Sequence, residues 1–115
     1  MATARSDETP AAGPSVTLEL RGVLAERLAG LGQRRGTRTL IQLRPPPGTA
    51  VADLLAQLVE ADARYGLLFD AAARRLPEHV EVVLNDRVLD LQGGLAARLQ
   101  PGDVLTFLPA HAGGR

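Results

Sequence analysis

Hydrophobic and polar positions alternate along the first part of the chain in a pattern typical of strands. Val16, Leu18 and Leu20 alternate with polar residues, which predicts a half-buried strand. The β-branched and apolar run over 37–43 predicts a second strand, antiparallel to the first, that ends at a run of prolines. Residues 22–36 lie between the two strands and carry four glycines, so we predict that they are mainly a loop. Within this segment, Leu24, Arg27 and Leu28 fit one helical turn.

A helical periodicity follows the prolines. From Val51 onward, apolar residues recur at the i, i+3, i+4, i+7 and i+8 positions, the spacing of one helix face. Thr49 is the predicted N-cap, since its hydroxyl can accept a hydrogen bond from the first turn. We therefore predict a helix from about Ala50 to Ala63. Residues 65–77 fit either a short second helix or an irregular crossover.

The C-terminal part of the chain predicts a hairpin and a last strand. The run 79–84 predicts a strand, the Asn-Asp pair at 85–86 a tight turn, and 87–91 a short strand that closes the hairpin. Residues 95–99 fit a single helical turn. The apolar run 104–108 predicts the last strand.

These elements predict an α+β layer arrangement, in which one long helix covers one face of a mixed sheet. A first hairpin, a crossover helix and a last strand that returns to the sheet centre describe a β-grasp, or ubiquitin-like, fold with four to five strands. We predict this domain over 15–109. A disordered arm over 1–14 is expected before it, and a flexible tail over 110–115 after it.

Composition narrows the possible functions. The chain has 115 residues, of which 45% are apolar and only 3% aromatic, so one domain with an aliphatic core is expected. Its net charge of zero argues against a nucleic-acid or anionic-membrane binder. No apolar run approaches the ~20 residues of a membrane span. The N-terminus has no apolar region of the kind a signal peptide needs, so a cytoplasmic location is expected.

Two residue types are absent from the chain. Without cysteine, it can form no disulfide, thiolate nucleophile or cysteine-based zinc site, and we expect no metal site. Without lysine, all thirteen basic residues are arginines. Copies of this chain therefore cannot be joined to each other through a side-chain amine.

The last residues carry the most distinctive chemistry. Gly113 and Gly114 stand next to the C-terminal Arg115, shortly after the last predicted strand. Glycine has no side chain and tolerates almost any φ, so such a tail can thread a narrow active site and present a carboxylate for activation.

Three stretches resemble the ubiquitin-like sulfur carriers, which include the molybdopterin synthase small subunit and the carriers of thiamin and cysteine biosynthesis. Residues 48–55 are similar to the start of that family's helix, and 82–86 to a strand and turn. Residues 102–114 are similar to its last strand and tail, and this motif is the specific one. The tail over 109–114 looks closest to the cysteine-biosynthesis carrier.

The resemblance implies a mechanism in which this chain supplies no catalytic side chain and binds no cofactor stably. An E1-like adenylating enzyme would use ATP to activate the carboxylate of Gly114. Sulfur would then replace oxygen to give a thiocarboxylate, which a sulfur-accepting synthase uses in cofactor or cysteine biosynthesis. Most such carriers end on the second glycine, so a peptidase must first remove Arg115, or the carrier role has been lost.

The last strand also predicts a docking surface. Alternation places Leu105 and Phe107 inside, and Val104 and Leu108 on the sheet face that the helix leaves open. An open apolar patch on a small domain usually marks a partner site. Alternatively, the crossover over 64–77 or the N-terminal arm covers this patch. The predicted docking residues are Val104, Leu108, Pro109, Ala110 and His111.

Other polar residues fit structural roles. Asp103 is predicted to bind the backbone of its own turn, and His79 has no evident partner. The arginines at 34, 35 and 38 are interpreted as a solvated loop rather than a nucleic-acid patch, because no aromatic residues are interleaved with them. The pair at 74–75 either faces solvent or meets an acidic partner surface.

Two alternative functions use the same fold. A covalent protein modifier would be activated in the same way but would transfer its glycine acyl group to a target lysine. A non-covalent β-grasp interaction module would keep Arg115 and leave the tail unreacted. An enzyme with its own catalytic side chains has the least support, because the sequence contains no recognisable nucleophile–base pair, carboxylate dyad or phosphate loop.

Overall fold

A computed structural model describes residues 15–110. The predicted arm over 1–14 and residues 111–115 of the predicted tail lie outside this range. Within it, the strands are β1 Val16–Arg21, β2 Gln33–Arg35, β3 Arg38–Leu43, β4 Thr49–Ala50, β5 Val80–Leu84, β6 Arg87–Val88, β7 Arg98–Leu99 and β8 Val104–Pro109.

Six of these strands form one mixed sheet in the order β2-β3-β1-β8-β5-β6, and β4 pairs with β7 in a small separate sheet. Strand β1 is antiparallel to β3, as predicted. Strand β8 lies at the centre, parallel to β1 and antiparallel to β5. The predicted return of the last strand to the sheet centre, and with it the β-grasp arrangement, is therefore confirmed, with six strands where four to five were expected.

The main helix is α2, Val51–Ala61, and a shorter helix, α1, spans Val23–Arg27. The predicted main helix is confirmed, but its predicted N-cap is wrong. Thr49 belongs to β4, where it pairs with Leu99, and its hydroxyl donates to the carbonyl of Pro46 at 2.6 Å. None of the helices within residues 15–110 is long and apolar enough to cross a bilayer.

Both helices lie on the same face of the sheet and bury an aliphatic core against it. Alternate residues of the central strands point into this core, including Leu18 in β1 and Leu105 and Phe107 in β8, which are fully buried. The inward orientation predicted for Leu105 and Phe107 is therefore confirmed. From the helices, Leu24, Leu54 and Leu55 are buried in the same cluster.

The region predicted to be a loop contains an additional edge strand. Residues 33–35 pair with β3 as β2, and Gly32 makes the close approach possible. A Cβ at Gly32 would lie only 2.3 Å from the carbonyl oxygen of Leu40. Hydrophobic alternation did not predict this strand because all three of its side chains are exposed.

Two short C-terminal elements also differ from the prediction. The run predicted as a strand over 87–91 is a strand only over Arg87–Val88 and then continues as a 3₁₀-helix, Leu89–Gln92. The run predicted as one helical turn over 95–99 instead holds the end of a 3₁₀ turn, Gly94–Ala96, followed by β7. Leu89 and Leu99 are buried in these segments, so tertiary packing sets their local structure.

The crossover after α2 begins with a 3₁₀-helix, Ala63–Leu67, rather than a continuation of α2. Asp62 caps this helix by accepting the backbone N–H of Arg64 at 3.0 Å and also binds its guanidinium at 2.7 Å. These bonds, led by the one to the side chain, lower the pKa of Asp62 from 3.8 to about 2. After this 3₁₀-helix, the described residues 68–79 form no further helix before β5. Of the two predictions for 65–77, a short second helix or an irregular crossover, the irregular crossover is therefore the closer description.

Candidate functional site

The site is built around the end of β8, where the chain leaves the sheet towards its C-terminus. Pro109 is the last strand residue and pairs with Val80. The backbone N–H of Ala110 then donates to the carbonyl of His79 at 2.8 Å. Because β8 is hydrogen-bonded to a strand on each side, the base of the tail is held at a defined point, at the end of this central strand.

Four of the predicted site residues lie outside the described part of the chain. These are His111, Gly113, Gly114 and Arg115. The predictions for tail docking, activation and processing at these positions therefore rest on the sequence. The remaining predicted residues, from Val104 to Ala110, are described and lie on one continuous stretch.

Val104 and Leu108 occupy the open face, opposite to Leu105 and Phe107, as predicted. Both are half-buried rather than fully exposed. The crossover packs its buried residues, Leu68 among them, into the core on the helical side. Among the described residues it therefore leaves the face of Val104 and Leu108 open, while the predicted N-terminal arm lies outside the described range.

A buried carboxylate lies at the centre of this open face. Glu19 is only 7% exposed. Its Oε1 accepts a hydrogen bond from the Thr106 hydroxyl at 3.1 Å. Its Oε2 lies 2.7 Å from Nη1 of Arg38 and 3.1 Å from Nε of Arg21. Buried charges in folded proteins are normally paired in this way.

Sequence reasoning missed this cluster. Glu19 occupies a polar position in the alternation of β1, so the pattern predicted only that it faces away from the core. Its partners become neighbours through strand pairing, since Glu19 lies opposite Thr106 across the β1–β8 pair. The available signal was the charge pattern: Arg21 stands two residues after Glu19 on the same predicted strand, and Arg38 stands on the next predicted strand.

Asp103 binds the backbone of its own turn, as predicted, and also binds a second turn. One oxygen of the Asp103 carboxylate accepts the backbone N–H of Gln100 at 2.8 Å, which confirms its role as a turn former. The other carboxylate oxygen accepts the side-chain amide of Asn85 at 2.9 Å. The Asn85 carbonyl in turn accepts the N–H of Val104 at 2.9 Å. These bonds tie the starting end of β8 to the β5–β6 turn.

Two of the other polar residues singled out in the sequence have partners within the chain. His79 lies just before β5, and its Nε2 is 2.9 Å from the carbonyl oxygen of Leu67, so the interpretation that it has no partner is wrong. Arg74 pairs with Asp53 of the same chain at 2.8 Å. Within residues 15–110 there is no group of three acidic or histidine side chains placed to hold a metal ion.

Comparison with known proteins identifies the family to which this fold and its C-terminal motif belong. The architecture is that of the β-grasp proteins of ubiquitin-like type, with a glycine pair after the central strand. The model of the ThiS family matches residues 32–114, and the chain belongs to this family. No similar sequence was found among curated proteins.

Solved structures with the same fold include carriers and modifiers. Urm1 from Trypanosoma brucei is 22% identical, with a TM-score of 0.63, covering 86% of this chain and 94% of Urm1. Small archaeal modifier protein 1 from H. volcanii is 23% identical, with a TM-score of 0.61, covering 84% and 98% of the two chains. A chain of the Amycolatopsis orientalis BexX/CysO complex is 24% identical, with a TM-score of 0.53, covering 83% and 94%.

These findings confirm the predicted resemblance to the sulfur-carrier and ubiquitin-like group. The family match spans most of the β-grasp domain and reaches Gly114. The three solved structures described above are each below 25% identity to this chain and show the fold. The closer likeness of the tail to the cysteine-biosynthesis carrier therefore stays a prediction.

Proposed function

We propose that the protein is a sulfur carrier whose C-terminal Gly114, once Arg115 is removed, is converted to a thiocarboxylate. The observation that carries this proposal is the point on the sheet from which the tail starts. The central strand β8 ends beside His79, and the glycine pair follows within four residues of Ala110. Four residues span at most about 14 Å. A partner that activates Gly114 must therefore bind against this end of the sheet.

The proposed reaction takes place in the active sites of partner enzymes. In the first step, a carboxylate oxygen of Gly114 attacks the α-phosphate of ATP, pyrophosphate leaves, and an acyl-adenylate forms on an E1-like adenylating enzyme. The terminal sulfur of a partner persulfide then attacks the acyl carbon, and AMP leaves. A second partner thiol breaks the resulting S–S bond, releasing the thiocarboxylate and leaving a disulfide on the partner. This chain has no cysteine, so both thiols must come from elsewhere.

The role of this chain is to present its tail and to dock. The half-buried apolar residues Val104 and Leu108 lie on the strand that carries the tail, so docking there keeps the partner within reach of the glycine. A sulfur-accepting synthase would use the same tail in a later step. Catalysis would depend on groups of the partners, which stabilise the charge that develops on the phosphate and on the acyl oxygen.

The test is the intact mass of the protein purified from its own host. Loss of Arg115 together with replacement of one oxygen by sulfur is the expected result. Covalent conjugates to target lysines would instead identify a protein modifier. A full-length, unmodified mass that persists with host extract and ATP would contradict both and support a non-covalent module. The matched control ends at Gly113 and should acquire no sulfur.

A further inference from the structure

Three arginines form one row across the open face of the sheet. Arg38 in β3 is directly opposite Arg35 in β2 and also opposite Arg21 in β1. Residues directly opposite in antiparallel strands share a face, with their Cβ atoms about 5 Å apart. The sequence had suggested a solvated loop for two of these residues. Strand pairing instead aligns Arg35, Arg38 and Arg21, which we call the arginine row.

The arginine row leads directly to the base of the tail. Leu20 pairs with Phe107, so the next position along both parallel strands places Arg21 beside Leu108. Adjacent strands lie about 5 Å apart, which puts Arg21 at ~5 Å and Arg38 at ~10 Å from β8. On the other side of Leu108, its β5 neighbour is Glu81. The charge on this face is therefore positive on one side of the tail strand and negative on the other.

Glu19 holds two members of the row in place without neutralising it. One carboxylate serves both Arg21 and Arg38, at 3.1 and 2.7 Å. Glu19 has a 10% exposed side chain, whereas those of Arg21 and Arg38 are 40% and 51% exposed. Because a guanidinium has several N–H donors in a planar fork, both arginines can bind a further carboxylate while they keep the bond to Glu19.

We infer that the arginine row is the electrostatic part of the docking surface and that it binds acidic side chains of the adenylating partner. This inference rests on the proposed function and specifies the chemistry of its partner. Stable interfaces bury about 800 Å² on each side, a patch that extends roughly 15 Å from its centre. An enzyme centred on Leu108 therefore covers Arg21 and Arg38. Without acidic partners, the N–H donors of the two guanidiniums that do not bind Glu19 would lose water with no new bond to replace it.

Glu19 is a positioning residue in this interface. Long arginine side chains lose rotamer entropy when a partner orders them, and a bond to a buried carboxylate reduces that loss in advance. The polarity of the row also orients the partner, because Glu81 on the far side of Leu108 disfavours an acidic surface there. Acidic side chains on the partner are therefore directed towards β1 and β3.

The test measures binding of the chain, ending at Gly114, to the purified E1-like adenylating enzyme encoded in the same genome. Titration calorimetry without ATP gives Kd at low and high salt. The double variant Arg21→Glu/Arg38→Glu should weaken binding about tenfold or more at low salt and should lose most of the salt dependence. The matched control, Arg27→Glu/Arg87→Glu, makes the same change in net charge at exposed sites and should bind as the wild type does.

Further variants separate charge from folding. Arg21→Lys/Arg38→Lys should recover part of the affinity. Glu19→Gln, which can still accept the Thr106 hydroxyl, should weaken binding and keep the salt dependence. Equal Kd values for the arginine and control double variants, or no binding by the wild type, would overturn the inference. So would binding of a single-stranded DNA oligonucleotide that the arginine variant loses while its enzyme affinity is unchanged.

Parallel ATP–pyrophosphate exchange assays keep the two proposals apart. Salt-sensitive binding through Arg21 and Arg38 with no exchange would support the arginine row and contradict activation of Gly114. Exchange that depends on Gly114, with identical Kd values for the arginine and control variants, would support activation and overturn the row.

Discussion

The side chains of Asn85 and Asp103 bind each other across two turns, with the amide nitrogen of Asn85 2.9 Å from a carboxylate oxygen of Asp103. Asn85 has a left-handed φ of 52° in the turn between β5 and β6, a conformation that asparagine tolerates better than most residues. The interaction joins this turn to the start of β8, the strand that carries the tail.

We expect Asn85→Gly and Asp103→Ala each to lower the free energy of unfolding by about 1–2 kcal/mol. Glycine preserves the turn conformation at Asn85, so its effect reports the lost side-chain bonds rather than backbone strain. Urea unfolding of both single variants and the double variant completes a double-mutant cycle. A coupling energy of zero would show that the two side chains act independently.

Gly32 should tolerate no side chain. Gly32→Ala places a Cβ 2.3 Å from the Leu40 carbonyl oxygen, and this backbone contact can be relieved only by moving β2 away from β3. The expected loss of stability is about 1–3 kcal/mol. Gly66→Ala is the matched control because a Cβ there meets nothing within 4 Å. Thermal unfolding of both variants checks this, and equal melting temperatures would contradict the close approach.

The pKa of Asp62 predicts one part of the acid sensitivity of the fold. The carboxyl has a pKa of about 2 in the folded protein, below its ordinary value of 3.8, because Arg64 binds the charged form. Its stabilising contribution is therefore complete above about pH 4 and is lost as the pH falls towards 2. Asp62→Asn keeps a capping oxygen and removes the titration.

Unfolding free energies at several pH values between 2 and 5 check this prediction. The wild type should lose more stability over that window than Asp62→Asn does. Glu60→Gln, at an exposed position of α2, is the control for removing one carboxylate. Parallel pH profiles for the wild type and Asp62→Asn would show that the bond to Arg64 does not stabilise the fold.

Leu108 should contribute to partner binding more than to stability. It is half-buried on the open face beside the tail, so Leu108→Asn should weaken binding to the adenylating enzyme about tenfold, the usual effect of an interface anchor. Leu91→Asn is the matched control, since Leu91 is 83% exposed outside the strands. Titration of both variants with the enzyme checks this. Equal affinities would place the interface away from the β8 face.

The local pattern was sufficient for much of the fold. The periodicity that starts at Val51 predicted the main helix, and alternation in the last strand predicted that Leu105 and Phe107 are inside. In both patterns, the residues that face the core recur at the fixed spacing of a helix or a strand, so the sequence alone determines them. The glycine pair at 113–114 is likewise read from the sequence, and the chemistry proposed for Gly114 is argued from the sequence as well.

Only the tertiary structure determined those elements that are stabilised by residues far away in the sequence. Thr49 is a competent cap in isolation, yet pairing with Leu99 makes it a strand residue. Strand β2 has no hydrophobic pattern and exists because Gly32 lets it approach β3. Arg21, Arg38, Glu19 and Thr106 come together only through strand register. Register depends on which strands become neighbours, and a local pattern of hydrophobic residues does not contain that information.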